Sequence, residues 1–163
     1  MVLNILNGSA MPSKHTMQGF TFIGILIVIA ISGIALAGVG IVWHQSTQRE
    51  REKELLYIGD QYSKAIASYY KSDKSGKQYP KSLEELVLDQ RFPSKTRHIR
   101  KLYSDPVTRG APWGLIKQQD RIIGVYSTSS GQPIKKTQFP KSYASFAKAQ
   151  AYSDWKFVAE KSK

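Results

Sequence analysis

Phe20–Trp43 reads FTFIGILIVIAISGIALAGVGIVW, 24 residues whose only polar side chains are Thr21 and Ser32. As a helix it would be roughly 36 Å long, enough to cross a hydrocarbon core of about 30 Å. No Asp, Glu, Lys or Arg occurs between His15 and Gln48, and Lys14 is the sole basic residue ahead of the run. Working outward, the sequence predicts a short head, a single membrane-crossing helix and a polar tail. The whole chain has 163 residues, with 24 Lys+Arg against 12 Asp+Glu for a formal charge of +12, and no cysteine. Disulfide scaffolds, thiolate metal sites and cysteine nucleophiles are thereby excluded, although the compartment is not fixed, since an exported chain can do without disulfides.

Three readings of residues 1–43 compete. A cleaved secretory signal has an apolar core of about 7–15 residues, shorter than this one, although Ala35-Leu36-Ala37 imitates a cleavage site. A plain membrane anchor is the simplest alternative. The third reading rests on the junction Lys14-His15-Thr16-Met17-Gln18-Gly19, followed at once by Phe20-Thr21-Phe22-Ile23 and the apolar run. This resembles the prepilin signal of type IV pilins and of the pseudopilins of type II secretion, and it is preferred. The resemblance implies a leader over 1–19, cleavage by a prepilin peptidase between Gly19 and Phe20, and N-methylation of Phe20. Met11 as an alternative start would give a leader of nine residues.

The sequence from Gln45 to Lys71 has no proline and one glycine, Gly59. Leu55, Ile58, Tyr62, Ala65, Ile66, Tyr69 and Tyr70 recur in steps of three and four, an amphipathic stripe expected to face the tail. One helix from Phe20 to Tyr70 would be roughly 77 Å long. The alternating Arg49-Glu50-Arg51-Glu52-Lys53-Glu54 reads as a solvated, self-compensating face, or one that pairs with neighbouring subunits.

In the tail, Asp73–Pro80 is a turn, and Ser82-Leu83-Glu84-Glu85 matches a capping box opening a short helix that ends near Asp89. Residues 94–103 stay open between a helical turn and a loop. Asp105-Pro106 and Arg109-Gly110 are turn chemistry. Trp113–Lys117 and Arg121–Ser127 flank Gln118-Gln119-Asp120 as an antiparallel hairpin. The stretch 142–152 reads as a helical turn or ordered loop, and 155–159 as a last strand. The expected class is α+β, with a long N-terminal helix packed on a small antiparallel sheet, divided as 1–19, 20–43, 44–71 and 72–163. YPKSLEEL (79–86) and LYSDPVTRGAPWGL (102–115) resemble relatives of the major pseudopilin, and the likeness extends to about Ser127. It implies the lollipop shape of pilin-like subunits.

Two departures from that family stand out. Its members commonly carry Glu as the fifth mature residue, where it is thought to pair with a neighbour's N-terminal ammonium; here the position is Gly24. An unpaired carboxylate is expensive in hydrocarbon, so Gly24 eases lipid residence and weakens docking, which favours a minor or tip role. The family's helix-breaking Pro near the membrane exit is also missing, with Ile41 near that place.

Small residues along the run, Gly33, Ala37, Gly38 and Gly40 among them, permit close helix packing. The resemblance further implies other pilin or pseudopilin subunits, an ATPase-driven inner-membrane platform and membrane lipid as partners. It places the chain as a single-pass inner-membrane protein with its tail in the periplasm or outside the cell. A count of basic residues flanking the span points the opposite way, because Arg49, Arg51 and Lys53 follow it; the resemblance is followed.

No catalytic residue, cofactor or metal is expected. His15, His44 and His98 are dispersed, with His98 read as surface among Arg97, Arg100 and Lys101. Asp105, Asp120 and Asp154 are too scattered for calcium, which wants about six or more oxygens. Removing Lys14 with the leader leaves 23 basic against 12 acidic residues. The clusters Lys95, Arg97, Arg100, Lys101 and Lys135, Lys136, Lys141 offer DNA binding during uptake as an alternative function; a solvated basic face ranks ahead of it. A simple anchored domain outside any filament is the third reading.

Overall fold

The computed structural model describes residues 18–73 and 76–160, with the backbone alone at 18–20 and 35–44. The chain divides into two compact units after Trp43. In chain order come helix α1 (Gln18–Ser72), the short helix α2 (Glu84–Val87), strands β1 (Gly114–Gln118) and β2 (Arg121–Tyr126), two 3-10 segments (Lys141–Lys148 and Tyr152–Asp154) and strand β3 (Lys156–Val158). The architecture is α+β, with a three-stranded antiparallel sheet in the order β1-β2-β3.

In the second unit the predicted stripe is the core face. Leu55, Tyr62 and Ile66 are fully buried, and Ile58, Ala65 and Tyr69 nearly so. They pack with Leu86, Ile122, Val125, Phe146, Trp155 and Phe157 in one cluster. Gly59 lies on this face because a Cβ there would run into the ring of Phe157. Ser63 Oγ donates to the Val158 carbonyl at 2.8 Å, a second tie between helix and sheet.

The hairpin forms where expected. Its loop is Gln119-Asp120, both at positive φ (51° and 61°), the backbone that two-residue hairpin loops need to match strand twist. Ile116 pairs with Gly124 and Lys117 with Ile122, so Ile123 is an extra, bulged residue. Strict alternation would send Ile122 and Val125 to opposite faces; the bulge lets both enter the core, where each is fully buried. The bulged carbonyl of Ile123 accepts from Ala159 N at 2.9 Å, just past β3. The last strand is thus where the sequence put it.

Between the helix and the hairpin, polar groups do much of the positioning. Tyr62 Oη donates to the carbonyl of Tyr103 at 2.9 Å and accepts from its amide at 2.8 Å, while Trp113 Nε1 donates to the same carbonyl at 2.8 Å. Asp105, fully buried, accepts from Val107 N (2.8 Å) and Ser127 Oγ (2.6 Å), so the expected turn before Pro106 is also a link to the end of β2.

Two expectations, the capping box and the surface placement of His98, need correction. The Ser82–Glu85 capping box does not form. Leu83 is the N-cap and is already helical, α2 ends at Val87, and Glu85 Oε2 reaches back to Lys81 N (3.1 Å) and accepts from Tyr69 Oη (2.7 Å). The pull of the Tyr69 hydroxyl outweighs the local motif, and Ser82 instead hydrogen-bonds Glu84, holding that carboxyl below its ordinary value. Residues 94–103, open in the sequence between a helical turn and a loop, take the loop form, with Thr96 bridging to Asp89.

His98 is not a surface residue. Its side chain is 4% exposed, with Nδ1 2.9 Å from Ser68 Oγ and Nε2 3.1 Å from Asp89 Oδ2. The Arg and Lys residues around it are exposed, and only the histidine turns inward. Asp89 also takes Arg91 Nε at 2.9 Å and Nη2 at 2.6 Å, and the same Nη2 donates to the Tyr69 carbonyl in the last turn of α1 at 2.9 Å. A cation on that carbonyl satisfies one of the groups a helix C-terminus leaves without a backbone partner.

Two outcomes follow. Gly59→Ala lowers the thermal midpoint although alanine is the better helix former by about 1 kcal/mol, because overpacking against Phe157 costs on the order of 1–3 kcal/mol; calorimetry of both proteins checks the sign. The Arg91 hydrogen bonds, outweighing burial, hold the Asp89 carboxyl down at about 2. Its folded value is depressed, so its stabilisation is complete above its unfolded value of about 4 and is lost as pH falls from there toward about 2. Acid titrations of stability should show a component in that window that Asp89→Asn removes.

Candidate functional site

Within the first unit, residues 21–34 are all exposed. Phe22, Ile23, Ile25, Leu26, Ile27, Val28, Ile29, Ile31 and Ile34 are between 49% and 76% accessible. Successive helical residues turn by about 100°, so the unbroken run Ile25–Ile29 makes the helix apolar on every side rather than on one face. Covering these side chains would be worth on the order of 10 kcal/mol. Ser32 does not interrupt the surface, because its hydroxyl donates back to the Val28 carbonyl at 2.7 Å.

Gly19 and Phe20 fall in the first turn of α1, where the backbone alone is described; the leader residues 1–17 lie outside the described residues. Gly24 is within the described helix. A Cβ at Gly24 or at Gly33 would meet nothing within 4 Å. Each glycine costs a helix interior about 1 kcal/mol relative to alanine, and no contact inside the described chain requires either. Among the described residues no helix is long and apolar enough to cross a membrane. The span expected at 20–43 includes residues 35–43, whose side chains lie outside the described set.

The dispersed carboxylates have local structural tasks. Asp154 accepts from Gln150 N and Ala151 N at 2.9 and 3.0 Å, Asp120 is exposed beside Lys117, and Asp105 is committed to its turn and Ser127. No group of three or more His, Asp or Glu residues converges on one point among the described residues. Of the basic clusters, Lys95, Arg97, Arg100 and Lys101 are exposed, whereas Lys136 Nζ is tied to the Ala149 carbonyl at 2.8 Å.

One residue in the charged stretch departs from the expected solvated face. Glu52 is 3% exposed. It accepts from the backbone amides of Ile134 and Lys135 and from Tyr152 Oη, the last at 2.7 Å. Gln48 Nε2, one turn earlier, donates to Tyr152 Oη at 2.8 Å and to the Gln132 carbonyl at 3.0 Å. Burial raises the Tyr152 hydroxyl to about 12; the Glu52 carboxylate adds to the rise and the Gln48 bond opposes it. The signal was available: positions 52 and 48 continue the helical stripe from Leu55 two turns further toward the N-terminus. The alternating charges masked it, since all three glutamates read alike in a charge pattern.

Truncating Glu52 leaves two amides and a tyrosine hydroxyl without their acceptor. Glu52→Ala is expected to destabilise the protein by about 2–4 kcal/mol, and Glu54→Ala, on the exposed side, by less than about 0.5 kcal/mol; thermal melts of the two variants side by side check this.

The comparisons with known proteins bear on the first unit. No curated protein and no solved structure matches the chain. The model of the prokaryotic N-terminal methylation motif matches residues 14–40, spanning Lys14, the Gly19–Phe20 junction, Gly24 and most of the apolar run. That motif belongs to structural, pilin-type chains rather than to catalysts, and it implies processing by a prepilin peptidase and assembly with other subunits. The resemblance drawn from the junction residues is borne out at this level: the chain carries the type IV prepilin-like signal.

Proposed function

We propose that this chain is a minor or atypical subunit of a type II secretion pseudopilus or a related type IV pilus-like filament. The observation that carries the reading is the methylation motif at residues 14–40 leading a helix whose residues 21–34 are apolar on every side. Such a surface needs a non-aqueous partner at every stage. Lipid serves before assembly, with 20–43 as a single inner-membrane span and the tail in the periplasm or outside the cell; the helices of neighbouring subunits serve afterwards. Gly24 and Gly33 permit the close approach that helix packing within a membrane or a fibre rewards.

The mechanism is mechanical. The peptidase removes the leader after Gly19, Phe20 becomes the new N-terminus, and an inner-membrane platform draws the helix out of lipid into the fibre. Without a carboxylate at position 24, residence in lipid carries no burial cost for an unpaired charge, and docking has one ion pair fewer to specify it. A subunit of that kind suits a tip or priming place better than the bulk of a filament. The tail, held to α1 by the buried stripe and by Glu52, is the part left to meet other proteins.

The intact mass and N-terminal sequence of the protein recovered from its native membranes test this. The expected result is a chain beginning at Phe20, with or without one added methyl group. A chain retaining Met1 or Met11 would reduce the reading to a membrane anchor.

A further inference from the structure

Beside the Glu52 anchor is an open pocket of ≈ 270 Å³ whose lining includes four cations, Arg49 and Lys53 from α1 and Lys135 and Lys136 from the loop opposite. The two pairs lie more than eighty positions apart in sequence. They meet because the Glu52 carboxylate takes the amides of Ile134 and Lys135, pinning the loop across the helix. Glu52 also lines the pocket, but both its oxygens are engaged by donors from the protein. Lys53 is paired with Glu50 at 2.7 Å, Lys136 holds the Ala149 carbonyl, and the Lys135 ammonium lies 5.3 Å from the centre of the Phe139 ring. Arg49 is exposed and makes no hydrogen bond or ion pair among the described residues. The site therefore carries a surplus of positive charge, with one guanidinium unspent.

Its place on the helix indicates the source of the complementary charge. Arg49 follows Trp43, the end of the apolar run, by only six residues in the sequence. The headgroup layer extends several Å beyond the hydrocarbon, so basic residues this soon after a span are within its reach. We infer that Arg49, Lys53, Lys135 and Lys136 form a binding site for the phosphate of an anionic phospholipid headgroup. This rests on the reading of 20–43 as a membrane span. The site ties the tail domain to the membrane surface until the subunit is extracted, and favours residence in membranes rich in anionic lipid. Basic residues next to a span contribute about fivefold each to such binding.

The test uses the full chain, purified in detergent and titrated with phosphatidylglycerol or phosphatidylcholine under native mass spectrometry. Phosphatidylglycerol should bind preferentially, and Arg49→Ala with Lys135→Ala should reduce that preference by about thirtyfold. Arg49→Lys with Lys135→Arg should retain it, as should Lys95→Ala with Arg97→Ala, which removes the same charge elsewhere. Equal binding of the two lipids would overturn the inference. So would an equal loss in the Lys95/Arg97 variant, displacement of the lipid by millimolar inorganic phosphate, or a pocket that takes duplex DNA in preference to lipid. Carbonate extraction of native membranes separates the two levels. A chain released with the soluble fraction defeats the membrane reading and this site together; one that stays in the membrane without a lipid preference defeats the site alone.

Discussion

The stripe of Leu55, Ile58, Tyr62, Ile66 and Tyr69 on α1 is the surface against which the second unit is built. A three-stranded sheet with a three-residue edge strand depends on packing its apolar face against another element. It borrows one wall of its core from the helix, and the fit is close enough that Gly59 must be glycine beneath Phe157. The bulge at Ile123 serves the same end, turning Ile122 and Val125 together into that core. Helix and sheet in this unit are therefore parts of one hydrophobic core, and neither is expected to persist without the other.

Apolar burial fixes which faces meet, and a few buried polar groups fix the register. Tyr62 holds both backbone groups of Tyr103, Asp89 gathers Arg91 and His98 at the end of α1, and Glu52 fastens the loop near residue 134 at the other end of the stripe. Each is a place where removing one partner costs more than the bond contributes, because the remaining group stays buried and unsatisfied. These ties lie along the same helix, roughly from Glu52 to Ser72, so the long irregular segments between elements have defined positions without regular secondary structure of their own.

Residues 21–34 answer to a different requirement. There the helix shows apolar side chains in every direction, and its glycines make no use of freedom inside the chain. A surface of that kind is defined by the medium around it, first lipid and then other helices in the proposed function. One helix thus carries two patterns, all-round apolarity and then a single stripe, and the proposed anionic-lipid site lies where the second begins.

Patterns local in the sequence were legible without coordinates. The apolar run, the Gly19–Phe20 junction, the core stripe, the hairpin around Gln119-Asp120 and the last strand all depend on neighbours within a few residues, through helical or alternating periodicity and turn backbone. The junction residues also sufficed to indicate the methylation motif found at 14–40. Tertiary structure alone decided the fate of polar residues whose partners are distant in sequence. Ser82 lost its capping role because Tyr69 claimed Glu85, His98 turned inward to Asp89 and Ser68, and Glu52 left a solvated charge pattern to hold a loop more than eighty residues away. A carboxylate or imidazole reads the same in sequence whether it faces water or a donor brought by the fold. Apolar residues announce their burial by spacing; polar ones are buried only where tertiary packing supplies the matching group.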